Sequence, residues 1–497
     1  MKQKRLFIRV LALVLTALLV LGVVVSALLS ASAEEQTSAR DLYEIDIVML
    51  EDQQALQITQ RLTYTNRTGE FLDRVMFALY ANCLRRESAL FYDADSLFRC
   101  FPQGYAPGGI EFSEILVNGA QADWALSGEN ELFLRVACSL EAGESCVFSF
   151  SYHLLLPETA AFLGVGETDW RLINFYPLAL KYEYGEFVQP QPNQMSEYVY
   201  ADSADYSVTL SLPTRYLCVA PGDVLAQTVE GETQVLQIAA SGLHSFSMAL
   251  GMRYRLEEGV SDLGTRVLVY GNDRSGVSKT LSYALRALNL YESWFGPLGG
   301  NFCFAQSDYG LSFWVGERLT LLNEELFSDA DALMRAICLG ILKQYFGYRA
   351  YHMPTEDAWM TDSLSEYLYC LGIEALDGHE RYLTLLNEEY VPSVQYTIPG
   401  NLYITSDVAL FSPSEYEEVV VKRGCLVFHE VVTAVGQEAF LDALSIYLEK
   451  GRDGRVLGEY DLVDALDEAT GQSWEAFLTD WLFNIGEYAN QTIDWLE

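Results

Sequence analysis

Few side chains in this 497-residue sequence stand at spacings that could do chemistry. His153, His244, His352, His379 and His429 are scattered. No two of them stand at i and i+4, the spacing that sets two imidazoles on one helix face around a zinc ion. They read as isolated core or surface residues. The nine cysteines, Cys83, Cys100, Cys138, Cys146, Cys218, Cys303, Cys338, Cys370 and Cys425, are odd in number and widely spaced, with no C-x-x-C pair. That pattern speaks against a zinc ribbon or a disulfide-dense scaffold, and most are expected as buried thiols. A Cys138–Cys146 bond flanking a hairpin is the single pairing that the spacing suggests.

The elements that carry these residues change character along the chain. Up to about residue 252, apolar and polar residues alternate over Tyr43 to Leu50, Leu56 to Tyr64, Glu131 to Val136, Cys146 to Tyr152 and Tyr206 to Leu212, with turn residues between. Short alternating runs of this kind predict a β-sandwich over 42–252, one that contributes no obvious chemistry. After Tyr254 helical periods take over. Ser278 to Phe295 closes on Gly296-Pro297, and Asp329 to Phe346 opens on Ser328 or Asp329 and closes on Gly347. Thr361 to Leu371, Lys422 to Val435, Glu438 to Leu448, Asp461 to Ala469 and Ser473 to Ile485 continue the pattern, so 253–497 is expected to be mainly helical. The fold class is therefore α+β.

Within the helical half, Gln344-Tyr345-Phe346-Gly347 is followed after 11 residues by Trp359-Met360-Thr361-Asp362-Ser363-Leu364-Ser365-Glu366-Tyr367. Phe295-Gly296-Pro297 precedes a strand, and Arg423-Gly424 opens a later helix. Taken in order, these motifs resemble the gluzincin zinc aminopeptidases of the aminopeptidase N type, across most of residues 42 to 490. In that family one helix bears H-E-x-x-H before Gln-Trp-Phe-Gly, and a second bears W-L-N-E-G-F-A, whose Glu is the third zinc ligand. The resemblance implies an N-terminal β-sandwich followed by a thermolysin-like, mainly helical catalytic domain.

The residues that the chemistry needs are missing. The two His and the downstream carboxylate would hold a zinc ion, and the Glu after the first His would take a proton from metal-bound water. Counting back from Gln344, the resemblance sets Leu339 at the first His, Gly340 at the general base and Lys343 at the second His. Only Asp362, 19 residues after Lys343, keeps a carboxylate at a ligand position. The G-x-M-E-N-like strand, whose Glu grips the substrate amine, matches Gly310-Leu311-Ser312-Phe313-Trp314, leaving neutral Phe313 where an acid belongs. The transition-state Tyr matches Val421, with Tyr416 nearby in another register. Lys343 and Asp362 are expected to form an ion pair in place of the metal. The alternative is that Lys343 reaches into an open cleft while Asp362 caps its own helix. Trp314, Tyr345, Trp359 and Glu366 are expected to line the cleft.

The reading is thus a catalytically inactive aminopeptidase relative, a peptide-binding or interaction module with no cofactor. The alternatives are an active zinc metallo-aminopeptidase or another hydrolase with an atypical site. A Ser-Lys hydrolase built from Lys343 with Ser312, Ser363 or Ser365 lacks any signal of a desolvated lysine or an oxyanion hole. Extended peptides or an extracellular protein are the expected partners. Thirty-one basic against 69 acidic residues, net charge -38, repel phosphate backbones and argue against nucleic acid. Lys2, Lys4, Arg5 and Arg9 precede an uncharged run from Leu11 to Ser30, then Ala31-Ser32-Ala33, the plan of a signal peptide. The run also reaches the ~20 residues that span a bilayer, so residues 1–33 are either cleaved or retained as a single anchor. Either way the body is expected outside the cytoplasm, touching the membrane only through that segment.

Overall fold

Alternating side chains build the first half. In the computed structural model, which describes residues 40–396, 402–452 and 454–488, the strand Asp41–Leu50 buries Tyr43, Ile45, Ile47 and Met49 on one face. It pairs antiparallel with Ala55–Thr65 and parallel with Ala204–Pro213, at the centre of an eight-stranded sheet. Two four-stranded sheets and a short hairpin complete the β-rich part. The strand expected from Glu131 begins at Phe133, because Asn130 and Glu131 take positive φ values of 57° and 59° and belong to the preceding turn. The apolar head, residues 1–33, lies outside the described residues. Among those described, no helix is long and apolar enough to cross a membrane.

The second half opens with a sheet that helical periodicity does not signal. Strands Arg255–Val260, Arg266–Gly271, Asn301–Ser307, Leu319–Asn323 and Phe313–Gly316 lie side by side in that order, and the three central strands are parallel. Both faces are apolar. Cys303, Ala305, Leu319 and Leu321 join the core of the β-rich part, whereas Phe302, Phe304, Val267 and Leu322 join that of the helices. A strand buried on both sides reads as a continuous apolar run rather than an alternation, which is why Phe302 to Ala305 carries no period of two.

Four helices position the candidate site. They are α1 (Arg274–Phe295), α2 (Ala330–Lys343), α3 (Ala358–Asp377) and α4 (Gly424–Val435). Asp329 caps α2 by accepting the N–H groups of Asp331 and Ala332, at 3.0 and 3.1 Å. Past Lys343 the chain winds as a π-helix over Gln344–Arg349, beyond the expected stop at Gly347. Gln344 fastens this end of α2 to the sheet: its Oε1 accepts the Arg318 N–H at 2.7 Å, and its Nε2 donates to Gly316 O at 3.1 Å. Tyr345 donates to Gly296 O at 2.7 Å, and Phe346 packs edge-on against Phe295 at 5.1 Å, so the Gln-Tyr-Phe-Gly run holds the end of α1.

All nine cysteines are free, including half-buried Cys138 and buried Cys146. The hairpin bond is absent. The sulfurs of Cys370 and Cys425 lie 4.0 Å apart between α3 and α4.

At Gly340, α2 lies against the strand Leu319–Asn323. A Cβ there would meet Thr320 Oγ1 at 2.6 Å and Phe304 at 3.4 Å. Thr320 is fully buried and stiff at χ1, so it has little room to yield. Gly340→Ala is therefore expected to destabilise by about 1–3 kcal/mol despite the better helix propensity of alanine, read as a lowered midpoint in denaturant titration. A neutral or stabilising result would show that the helix and sheet are less tightly apposed.

Candidate functional site

Two antiparallel helices form the floor of the site. Arg335, Leu339 and Lys343 recur at intervals of four along α2, and Asp362 and Glu366 do so along α3, so each set lies on one helix face. Lys343 Nζ lies 2.5 Å from Asp362 Oδ1. One turn away Arg335 grips Glu366 with two bonds, Nε to Oε1 at 2.6 Å and Nη2 to Oε2 at 2.9 Å. Leu339, 4% exposed, stands between these pairs along α2.

Asp362 is held from its other side. Tyr416 donates its hydroxyl to Asp362 Oδ2 at 2.6 Å, and both residues are buried. The structure thus brings Tyr416 to Asp362, while Val421, the position reached by counting back from Arg423-Gly424, is packed among apolar side chains of the helical core. Tyr416 stands just before the π-helical segment Glu417–Arg423, five residues from Val421, and packing rather than a count back from Arg423 selects the side chain that meets Asp362. Gly424 then lets α4 approach α3 closely, since a Cβ there would lie 2.0 Å from Ser363 Oγ.

Above this floor is a cavity of about 240 Å³. Lys343, Asp362, His352, Phe313 and Trp314 line it, together with residues from the β-rich half: Phe91, Tyr92, Phe162 and Glu197. The β-rich half therefore supplies one wall of the site, contrary to the expectation that it contributes no chemistry. Of the residues expected in the cleft, only Trp314 is there. Tyr345 and Trp359 are buried core side chains, Trp359 stacking on Phe428 at 6.0 Å, and Glu366 is buried against Arg335 and Tyr390. Aromatic rings next to a motif are more economically spent on packing the helices that carry it.

Glu197 gave no sequence signal, and His352 stood out only by lying in the loop between the two motif helices. Glu197, half-buried, accepts the N–H groups of Tyr198 and Val199 through Oε1 at 2.8 and 3.0 Å and the Tyr348 hydroxyl through Oε2 at 2.9 Å. Burial pushes its carboxyl above the usual range, opposed by those donors and by Lys343. Its loop is shaped by Asn193, whose side-chain oxygen accepts the N–H groups of Met195 and Ser196, a local turn that the polar stretch Gln189 to Asn193 hints at. His352 bonds Thr361 Oγ1 through Nε2 at 2.6 Å. Because Thr361 donates its own proton to Phe346 O at 3.0 Å, His352 must carry its proton on Nε2, and Nδ1 is left as an acceptor without a partner. Burial pulls this imidazole down to about 4, with Asp362 opposing.

The three serines near the motifs make no dyad with Lys343. Ser363 donates to Val420 O at 2.7 Å, Ser365 is fully buried, and Ser312 lines the cavity without bonding the lysine. Nor do the residues fit zinc. Leu339 has no lone pair, Lys343 is engaged with Asp362, and among the described residues no three His, Cys, Asp or Glu side chains converge as metal ligands.

No protein-family profile matches the chain. A 219-residue stretch is 23% identical to aminopeptidase N of Lactococcus lactis subsp. lactis, covering 41% of this chain and 26% of that protein, about a quarter of its length. The M1 zinc metallopeptidase of Deinococcus radiodurans is similar in structure, with a TM-score of 0.64 at 15% identity over 90% of this chain and 94% of the other. Its glutamate-to-alanine mutant bound to a Tyr-Ser-Ala substrate gives 0.65 at 16% identity, over 89% and 94%. The fold is that of the M1 zinc metallopeptidases, the gluzincin architecture that the motifs resemble.

Two outcomes follow from the site's geometry. Lys343→Met and Asp362→Asn should each destabilise, and with side chains 20% and 7% exposed the coupling in a double-mutant cycle should reach about 0.5–3 kcal/mol. Strict additivity in denaturant titrations would deny the pair an energetic role. His352, neutral when folded down to about pH 4 and ordinary at 6.5 when unfolded, binds its proton earlier in the unfolded chain. Its contribution is complete above pH 6.5 and is lost as pH falls toward 4. The stability difference between the native protein and His352→Gln should therefore shrink by up to about 3 kcal/mol across that window, measured by chemical denaturation at several pH values.

Proposed function

We propose that this chain, on the fold of the M1 zinc metallopeptidases, is an exported pseudo-peptidase: a module that binds peptide-like ligands in the family's cleft without hydrolysing them. The observation that carries the reading is the Lys343–Asp362 ion pair, which ties together two positions that match zinc ligands of the family. A cation fixed at 2.5 Å from the remaining carboxylate disfavours a second cation there by direct repulsion. Gly340 supports the same reading. The general-base position faces Thr320 at a distance that leaves no room for a glutamate, so it is committed to packing.

The cleft itself keeps its walls. Phe313 and Trp314 on one side and Phe91, Tyr92 and Phe162 on the other leave a cavity with mixed apolar and polar lining, the surroundings that small ligands favour. Phe313 in place of an amine-gripping acid removes one contact that the family makes with its substrates, so the ligand is held differently. Export is part of the proposal and rests on the basic head, apolar run and Ala31-Ser32-Ala33 exit of residues 1–33.

Purified protein is expected to contain no stoichiometric zinc by elemental analysis after dialysis, and to release no amino acid from Tyr-Ser-Ala or aminoacyl reporter substrates, with or without a chelator. Near-unit zinc together with chelator-sensitive cleavage would restore the metallo-aminopeptidase reading. Chelator-insensitive cleavage would point to another hydrolase chemistry. The combined change Leu339→His, Lys343→His and Asp362→Glu is expected to raise zinc affinity without activity, since Gly340 and Phe313 remain.

A further inference from the structure

Of the charged side chains that line the cavity, Lys343, Asp362 and Glu197, the lysine and Glu197 form no ion pair with one another. Lys343 has three N–H donors, of which Asp362 engages one, and its side chain keeps 20% of its exposure. Asp362 is itself satisfied on both oxygens, by Lys343 and by Tyr416. Glu197 receives three donors, all of them neutral: two backbone N–H groups and the Tyr348 hydroxyl. A carboxylate offers about four lone-pair sites, so one remains open. Among the described residues no Lys, Arg or His nitrogen lies within 4.0 Å of the Glu197 carboxylate. Both side chains line the same cavity and form no ion pair, and Lys343 opposes the upward shift of the Glu197 carboxyl. The rings of Tyr92, Phe162, Phe313 and Trp314 line the same space, which at about 240 Å³ is smaller than the roughly 300–1,000 Å³ of pockets for drug-sized ligands.

We propose that this cavity binds a free amino acid as its zwitterion, the ammonium on Glu197, the carboxylate on Lys343, and an apolar or aromatic side chain among the rings. The inference rests on the reading of the cleft as a binding site. It narrows that reading, because an internal residue of a peptide presents a neutral carbonyl where the free amino acid presents a carboxylate. A charge-assisted bond to an ammonium is roughly twice as strong as a neutral one. The ammonium of Lys343 thereby selects for a free carboxyl end, and the cavity's size selects for a single residue.

Isothermal titration calorimetry on the full chain decides this with four probes: L-phenylalanine, L-phenylalaninamide, N-acetyl-L-phenylalanine and the tripeptide Tyr-Ser-Ala. Phenylalanine should bind most tightly, and loss of either charge should weaken binding roughly tenfold or more. Lys343→Met should abolish the preference for phenylalanine over its amide, and Glu197→Gln the preference over the acetylated form. Circular dichroism verifies that each variant is folded; should either fail, the probe series on the unmodified protein is sufficient. An amide that binds as tightly as phenylalanine overturns the proposal. Tripeptide binding tighter than phenylalanine also overturns it while upholding the peptide-binding module. Phenylalanine binding without tripeptide binding upholds it and overturns that module, and no binding by any probe overturns both.

Discussion

The register between α2 and α3 is set by two ion pairs flanking Leu339, and the geometry of the cleft depends on it. Arg335–Glu366 is bidentate and so constrains orientation as well as distance, whereas Lys343–Asp362 ends at the cavity. Sliding one helix by a residue would rotate all four charged side chains away from their partners and leave Asp362 and Glu366, both buried, without a cation. Tyr416 adds a third support by reaching Asp362 from a different segment. A shared carboxylate thereby joins three pieces of chain that are distant in sequence.

That seam is positioned by the sheet beneath it. The sheet serves two cores at once, with alternate residues of Asn301–Ser307 pointing to the β-rich part and to the helices. This arrangement couples the two halves mechanically, since neither can shift without opening a cavity on the other side of the same strand. Gly340 brings α2 down onto this sheet and Gly424 brings α4 onto α3. The charged seam is thus fixed relative to the wall supplied by Glu197 and the aromatic residues of the first half.

A metal in such a site would be an exchangeable cation whose binding depends on its concentration. A lysine ammonium is part of the chain and always present. An ammonium donates hydrogen bonds and attracts anions, but supplies neither an activated water nor an open coordination site. Under the proposed function the position serves recognition rather than hydrolysis, and the polar groups that line the cavity include the donors of Lys343 and the acceptors of Glu197.

Much of this was legible in the residues themselves. The helical periods located α1, α2 and α4 to within four positions and the middle of α3, which runs six residues past the expected Leu371, and the motif spacing related Lys343 to Asp362, because side-chain period and residue count are local properties of the chain. The seam's second pair was written in the same helices, at Arg335 and Glu366, but an opposite charge four or eight residues away on another helix is meaningful only once the helices are known to be neighbours. Three matters belonged to the tertiary structure. The central strands of the sheet from Arg255 to Asn323 are buried on both faces and hence have no alternation to detect. Tyr416 reaches Asp362 from the residue before a π-helical segment, five positions from the one that the sequence count selects. Glu197 comes from the β-rich half, more than 140 residues before Lys343, and enters the cavity only because the shared sheet brings the two halves together. Local order follows from residue type and spacing, but a site assembled from distant segments is determined by packing, which no single stretch of sequence contains.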